Sequence, residues 1–224
     1  MAVILNLETA TTNCSVCVAK EGKILSLREL DRPNYSHAEQ LHNFIKEALE
    51  EASFSLEQMD AVAVSQGPGS YTGLRIGVSA AKGLCFSLDL PLIAIPTLES
   101  MASQLEVEKD GFIIPVLDAR RMEVYAAVFD GEHKQIGDTR AEIITETSFS
   151  DYAKRGGVHL LGSGAEKCRE ILGHQNFNYH TEIVPSAREM AGISHKRFEM
   201  GQFEDVAYFE PFYLKDFVLQ QKKT

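Results

Sequence analysis

The stretch VILNLETATTNCSVCVAKEGKILSLREL, residues 3–30, decides the fold class. It contains three apolar runs, over residues 3–8, 14–19 and 24–30, which are separated by a polar segment and by the turn pair Glu21-Gly22. Short apolar runs bounded by turn residues are typical of β-strands, and a two-residue connection that contains glycine is typical of a hairpin. We therefore predict three consecutive strands joined by tight turns.

Helices and strands alternate after these strands. A helix is predicted over residues 36–52, where Ser36 is the N-cap, Glu39 completes a capping box and apolar positions recur with helical spacing. A strand over residues 61–65, a helix over 74–88 and a strand over 91–95 follow. This order is typical of a ribonuclease H-like fold, in which helices cover a mixed β-sheet.

The second half repeats this beginning. An apolar run over residues 112–117 ends in Asp118, a run over 124–129 returns, and a turn follows at Asp130-Gly131, much as Glu8 and Gly22 follow one another in the first half. The repetition indicates an internal duplication. A strand over 158–161, a helix over 165–172 and a helix capped by Ser186 come later. We assign residues 1–105 to a first lobe and 106–224 to a second, smaller lobe, whose C-terminal tail can pack back on the first.

Acidic residues outnumber basic ones, 32 to 22, which gives the 224-residue chain a formal charge of −10. A protein that binds nucleic acid by itself needs clustered lysines and arginines to neutralise phosphates, so this excess argues against independent nucleic-acid binding. We expect no secretory leader, because no basic segment with an apolar run stands before the first strand, and no apolar run approaches the ~18 residues of a membrane span. We expect a cytoplasmic protein.

The four cysteines do not have the spacing of a zinc site. Cys14 and Cys17 form a CxxC pattern, but they fall on a predicted strand, where residues three apart point to opposite faces. A redox CxxC would instead sit at a helix N-terminus. We interpret both cysteines as buried structural residues.

The loop from Gly67 to Gly73 joins a strand to a helix. Backbone amides of Gly67, Gly69 and Ser70 could approach a phosphate there, because glycine permits close contact and a helix N-terminus favours an anion. In the alternative interpretation these residues only form the turn and allow two backbones to pack. The loop is not a P-loop, since no Lys-Ser or Lys-Thr pair follows the glycines.

Two carboxylates end equivalent strands of the two lobes. Glu8, followed by Thr9, and Asp118 could face one cleft and hold a metal and a phosphate. The spacing alone favours the alternative, in which each carboxylate caps its own turn.

Gly73, Gly77 and Ala81 form a small-residue face on the predicted helix that follows the loop. Glycine inside a helix costs ~1 kcal/mol relative to alanine, so the face should serve the close approach of another helix, in this chain or in a partner.

A family resemblance is carried by the segments ILNLETA (4–10) with CSV (14–16), QGPGSYTGLRIGVSAAKGL (66–84), PLIAIPTLESMA (91–102), LDARRMEVYAAVF (117–129) and PFYLK (211–215). Together they resemble the TsaB (YeaZ) family of tRNA threonylcarbamoyladenosine biosynthesis proteins, which is related to TsaD-like (glycoprotease-type) proteins. The resemblance is strong as far as residue 129 and weak over 131–210. It implies an actin-like ATPase (ASKHA) fold, an α/β architecture of two ribonuclease H-like lobes with mixed β-sheets covered by helices.

The resemblance also implies the role. The chain would be a non-catalytic scaffold that binds a catalytic TsaD-like subunit and helps to recruit a TsaE-like ATPase, and it would reach tRNA through the complex. TsaD-like proteins carry a metal-binding HHxEAH stretch after the strand that follows the glycine loop. Here Pro96, Thr97 and Met101 replace its histidines, and these side chains cannot substitute for imidazole ligands. We therefore expect no catalytic residue, no metal and no tightly bound cofactor, with ATP used by the complex.

The same resemblance implies an interface. The predicted helices 36–52 and 74–88 would pack against the TsaD-like subunit, and the same face could form a homodimer. The expected contact positions are Leu41, Ile45, Gly73, Gly77 and Ala81. The sequence departs from the family pattern at Glu8, where aspartate is usual, and at Lys215, where arginine is usual; the second change loses bidentate geometry.

Two alternatives remain. A small-molecule kinase or ATPase of the same fold would place Glu8 and Asp118 around Mg-ATP. A metallopeptidase, suggested only by the naming of relatives, lacks a ligand set in the sequence.

Overall fold

A computed structural model describes residues 1–32 and 37–215. The first lobe is built on a five-stranded sheet in the order β3-β2-β1-β4-β5. The strands are β1 (Val3–Glu8), β2 (Asn13–Lys20), β3 (Lys23–Asp31), β4 (Ala61–Gly67) and β5 (Leu92–Pro96). β1 to β3 are antiparallel, whereas β4 and β5 run parallel to β1. The three predicted consecutive strands are confirmed.

Helices α1 (His37–Ala52) and α2 (Tyr71–Leu88) cover one face of this sheet. Alternate residues of β1, such as Leu5 and Leu7, join the core beneath these two helices, while Ile4 points to the other face. A short 3₁₀ helix, Leu56–Gln58, leads into β4. The predicted cap Ser36 lies outside the described residues. α2 begins three residues before the predicted start, because the Ser70 side chain accepts a hydrogen bond from the Gly73 amide and caps the helix.

The second sheet has six strands in the order β11-β10-β6-β7-β9, with β8 paired to β6. They are β6 (Phe112–Asp118), β7 (Glu123–Ala126), β8 (Phe129–Asp130), β9 (Arg140–Ile143), β10 (Val158–Leu161) and β11 (Phe177–His180). The order and strand directions repeat those of the first sheet, with β6 in the place of β1 and β10 in the place of β4. The predicted duplication and the two-lobed α/β fold are confirmed. Short helices α4 (Ser150–Ala153) and α5 (Ala165–Arg169) belong to this lobe.

Two helices link the lobes. α3 (Thr97–Ala102) follows the first sheet but packs against β6 of the second, where Leu98 and Met101 join the core around Ile113. α6 (Ala187–Glu199) follows the second sheet but covers the open face of the first, where Met190 packs near Ile4. In space, residues 187–199 therefore belong with the first lobe.

The segment after α6 also lies on the first lobe. The Glu204 amide donates to the Leu92 carbonyl (2.9 Å), and Lys82 of α2 donates to the carbonyls of Ala207 (3.2 Å) and Phe209 (2.8 Å). The chain thus returns along α2 towards the glycine loop.

The two strand cysteines are structural. Cys14 and Cys17 are fully buried on opposite faces of β2, one in each core of the first lobe. Burial raises the pKa of Cys14 to about 11 and that of Cys17 to about 12. Both thiols are therefore protonated at neutral pH, and the predicted placement on opposite faces is confirmed.

Over residues 1–32 and 37–215, no helix has both the length and the apolar character that a membrane crossing requires.

Candidate functional site

The turn between β1 and β2 lies at the carboxyl edge of the first sheet. The sequence predicts that the Glu8 carboxylate at this turn lies near a bound phosphate. Glu8 is fully buried, and one of its carboxylate oxygens accepts a hydrogen bond from the Ala10 amide at 2.6 Å. The other oxygen is buried and has no partner among the described residues.

Burial raises the pKa of Glu8 to about 7, and the charge of Glu189 in α6 adds to the rise. The Ala10 amide, and the nearby Ser65 side chain and Thr9 backbone, lower the pKa of Glu8 and so partly offset this rise. A carboxyl group that is buried and partly protonated near neutral pH is poorly suited to hold a hydrated cation. In this structure Glu8 therefore stabilises the β1–β2 turn by accepting the hydrogen bond from the Ala10 amide.

The glycine loop, residues 67–73, is closed by the same turn. The Ser70 amide donates to the Ala10 carbonyl at 2.7 Å, and a Cβ at Gly69 would lie 2.4 Å from that carbonyl oxygen. Gly67, whose φ is 113°, is covered from the other side, because a Cβ there would lie 2.7 Å from the Phe212 carbonyl oxygen. The chain's own backbone thus occupies the space in which the sequence could place a phosphate.

The small-residue face of α2 packs most closely on Thr9, and Gly73 also approaches α1, because a Cβ there would lie 3.4 Å from the His37 side chain. A Cβ at Gly73 would lie 2.2 Å from the Thr9 carbonyl oxygen, and one at Gly77 would lie 2.2 Å from the Thr9 hydroxyl oxygen. The Thr9 hydroxyl donates to the Gly73 carbonyl at 2.8 Å. These glycines let the β1–β2 turn approach α2 within this chain, and a contact of this face with a partner helix stays a prediction.

Asp118 at the end of β6 differs from its counterpart Glu8, because it is exposed. One oxygen accepts hydrogen bonds from the Arg120 amide (2.6 Å) and from the Lys167 ammonium (2.7 Å). The Asp118 amide donates to the Ser163 hydroxyl at 3.1 Å. Asp118 therefore organises the β6–β7 turn of its own lobe, and the two carboxylates do not form a matching pair.

The positions that replace the metal-binding histidines are packing positions. Thr97 and Met101 are fully buried in α3, and Pro96 ends β5 as the N-cap of that helix. The Met101 methyl group approaches Gly162 of the second lobe, where an added Cβ would lie 2.5 Å away. Across the described part of the chain, no three His, Cys, Asp or Glu side chains are grouped as a metal site.

The individual interface positions need correction. Leu41, Ile45 and Ala81 are at most 5% exposed and belong to the first lobe's core, as does the buried helix face that carries Gly73 and Gly77. They are therefore not available as broad surface contacts, although Ile45 contributes to the floor of a groove between α1 and α2.

That groove has a volume of about 350 Å³ and is mainly apolar on its floor. We call it the helix groove; its residues include His42, Ile45, Lys46, Leu49, Leu56 and Leu84. Phe86 on α2 is 86% exposed. Phe86 is two positions from the groove residue Leu84, about 200° round α2, so the groove and the Phe86 ring are two separate apolar features of the helix surface.

The sequence allowed the C-terminal tail to pack back on the first lobe, and the last described segment does so, but the individual contacts were not predicted. The Phe212 amide donates to the Gln66 carbonyl at 2.7 Å, the Tyr213 ring lies 5.0 Å from the Tyr71 ring, and Lys215 forms an ion pair with Glu123 of the second lobe. The segment therefore bridges the two lobes. The only available signal was the quoted motif PFYLK, since no local pattern indicates contacts so distant in sequence.

Comparisons with known proteins agree with this architecture. Residues 33–216 match the family model of TsaD, described as tRNA N6-adenosine threonylcarbamoyltransferase. The TsaB proteins of Escherichia coli (strain K12) and Haemophilus influenzae, named tRNA threonylcarbamoyladenosine biosynthesis proteins, are 30% and 37% identical and align with 98% of this chain and 97% and 96% of their own lengths. The solved structure of YeaZ from Pseudomonas aeruginosa has a TM-score of 0.84 at 26% identity, over 96% of this chain and 100% of that one.

Proposed function

This chain belongs to the TsaB (YeaZ) family, and we propose that it is an accessory subunit for threonylcarbamoyladenosine modification of tRNA. It acts as a scaffold that binds a catalytic TsaD-like subunit. The names of the relatives support a role in this pathway. The packing of the glycine loop supports the proposal that this chain catalyses no step itself.

The observation that carries the accessory role is the closed turn around Thr9. The Thr9–Ala10 backbone fills the space over Gly69 and Gly73, and Glu8 is buried beneath it with a pKa of about 7. A small-molecule kinase or ATPase would need this region to hold Mg-ATP. Its second carboxylate, Asp118, is already paired with Lys167. The geometry therefore favours the accessory role over the kinase alternative.

The surface proposed for the TsaD-like subunit is the outer face of α1 and α2. The helix groove offers an apolar floor, and the exposed Phe86 ring offers an anchor of the kind that dominates binding energy at interfaces. The same face is proposed to form a homodimer when the partner is absent. We also propose that this chain helps to recruit a TsaE-like ATPase and that the complex uses ATP. The chain reaches tRNA through this complex.

Association with a purified TsaD-like protein tests the role. We expect the two proteins to co-elute at micromolar concentration, and Phe86→Glu to weaken the affinity at least tenfold, because a buried charge at an interface core is costly. Ile143→Glu is the matched control, since Ile143 is 67% exposed but lies on β9 of the second lobe. No association of the folded wild-type chain would contradict the proposed function, and equal effects of the two variants would contradict the proposed surface.

A further inference from the structure

A second cavity lies on the side of the first sheet that α6 covers, opposite the helix groove. It is placed where the chain passes from β11 of the second lobe into α6, and its volume is about 310 Å³. We call it the α6 cavity. The polar and charged residues in its lining that carry the argument are Asn13, Glu29, Asp31, Glu182, Arg188 and Glu189.

The α6 cavity is strongly acidic. Four of these six residues carry carboxylates, whereas Arg188 is the one cation among the described residues that line it. Arg188 is already engaged, because its guanidinium group donates to Glu29 at 3.3 Å, and Glu29 also accepts from the Ser186 hydroxyl at 2.7 Å. The three other carboxylates give the cavity a negative potential, which attracts small cations.

Asn13 supplies a buried acceptor that the described chain leaves unused. Asn13 begins β2 and is 2% exposed, and its amide nitrogen donates to the Pro185 carbonyl at 3.1 Å. A carbonyl can only accept, so the nitrogen must face Pro185 and the side-chain oxygen must point away from it. This oxygen, Oδ1, is buried and accepts no hydrogen bond from the described residues. A buried acceptor without a donor is costly, and it calls for a donor in the cavity that Asn13 lines.

Glu189 supplies a second acceptor of this kind, and this one is charged. Its Oε2 atom is also buried and has no partner in the described part of the chain. Burial raises the pKa of Glu189 to about 6, so the carboxylate is largely ionised at neutral pH and can then only accept hydrogen bonds. The cavity therefore needs a group that brings both positive charge and several donors.

We propose that the α6 cavity binds a small alkylamine, whose ammonium group donates hydrogen bonds to Asn13 Oδ1 and Glu189 Oε2. A protonated primary amine carries three N–H donors and no acceptor, so it satisfies the charge and the unused oxygens together. Ile183 and Val184 add apolar lining for its methylene chain. A metal ion fits less well, since no three His, Cys, Asp or Glu side chains are grouped as a metal site within residues 1–32 and 37–215.

Calorimetric titration of the folded, full-length chain with linear diaminobutane tests the inference. We expect saturable binding with one ligand per chain. Two further probes separate charge from hydrogen bonding: tetramethylammonium has the charge without an N–H donor, and the linear butanediol of the same length has donors without the charge. Both should bind at least about tenfold more weakly than diaminobutane, because charged hydrogen bonds are the strong ones.

Glu189→Gln tests the location of the ligand, because it removes the charged acceptor and keeps the length of the side chain. Glu199→Gln is the matched control, since it removes a carboxylate from the same helix at an exposed position outside the cavity lining. We expect Glu189→Gln to weaken diaminobutane binding at least about tenfold, and Glu199→Gln to change it by less than about twofold.

A second variant keeps the test independent of the fold. Asp31 and Glu182 are both exposed, so Asp31→Asn/Glu182→Gln removes two charges from the cavity without altering a buried side chain. It should weaken diaminobutane binding by roughly threefold or more, because it reduces the negative potential that attracts the ligand.

No binding of diaminobutane by the folded wild-type chain would overturn the inference. Equally tight binding of tetramethylammonium would overturn the proposed hydrogen bonds, and equal effects of Glu189→Gln and Glu199→Gln would overturn the proposed place. These outcomes do not depend on the proposed function, because the α6 cavity lies on the opposite side of the first sheet from α1 and α2.

Discussion

The carbonyl oxygen of Thr9 occupies the space that a side chain at Gly73 would need, since an added Cβ would lie 2.2 Å from it. The Thr9 hydroxyl in turn donates to the Gly73 carbonyl at 2.8 Å. These two residues are 64 positions apart, and their contact joins the β1–β2 turn to the start of α2. The glycine at this site is therefore required by packing within the chain.

Replacing Gly73 by alanine should destabilise the protein by about 2 kcal/mol. The added methyl group would displace backbone, and this overpacking outweighs the ~1 kcal/mol that alanine gains in a helix. Gly83→Ala is the matched control, because it lies on the same helix with nothing within 4 Å of an added Cβ, and it should stabilise by up to ~1 kcal/mol. Urea denaturation measures both, and equal effects of the two variants would contradict the packing explanation.

Gly77 should be coupled to the Thr9 side chain. A Cβ at position 77 would lie 2.2 Å from the Thr9 hydroxyl oxygen but 3.4 Å from its Cβ. Gly77→Ala should therefore destabilise wild type by about 1–3 kcal/mol and cost less in a Thr9→Ala background, where the clashing oxygen is gone. A double-mutant cycle of unfolding free energies measures the coupling. Additive effects would show that Gly77 does not serve this contact.

Deprotonation of the buried Glu8 should lower the free energy of unfolding as the pH rises. The native pKa is raised from 4.5 to about 7, so the folded protein binds more protons than the unfolded chain between these values. The stabilisation is fully present below about pH 4.5 and is lost as the pH rises through 7. Glu189, whose pKa burial raises to about 6, acts with the same sign.

Glu8→Gln should therefore reduce this pH dependence. At pH 8 the variant should be more stable than wild type by roughly 2–3 kcal/mol, since one pKa unit corresponds to ~1.4 kcal/mol and glutamine keeps an acceptor for the Ala10 amide. At pH 4.5 the two should be nearly equal. Glu50→Gln, at an exposed position on α1, is the control and should change little at either pH. A wild-type protein that gains stability between pH 5 and pH 8 relative to Glu8→Gln would contradict the burial of a protonated Glu8.

The first lobe could be predicted well because its elements carry strong local patterns. The apolar runs of β1 and β2, the helical stripe of α1 and the Gly22 turn each indicated one structure. The second lobe was harder. The predicted strand over 124–129 divides into β7 and β8, the helix predicted over 165–172 ends at Arg169, and β9 is mostly exposed and lacks an alternating pattern. The six-residue helix α3 is too short to show a period.

The candidate site could be predicted only in outline. The sequence indicated that Gly69, Gly73 and Gly77 serve close approach, but it did not reveal that Thr9 and Ala10 are what approaches. The family resemblance implied contact positions at Leu41 and Ala81. An apolar helix face indicates burial, but it does not show whether that burial is in the core or in an interface. The crossing of α6 to the first sheet and the bridge from Lys215 to Glu123 depend on the folded chain, and no local pattern encodes them.

The central claim is tested most directly by formation of threonylcarbamoyladenosine on transfer RNA in a reconstituted reaction. The reaction combines a TsaD-like protein, a TsaE-like ATPase, ATP and the activated threonylcarbamoyl donor, with and without this chain. We predict modified adenosine only when the TsaD-like protein and this chain are both present, and none with this chain as the sole protein. Modification by the chain alone, or equal modification without it, would contradict the account.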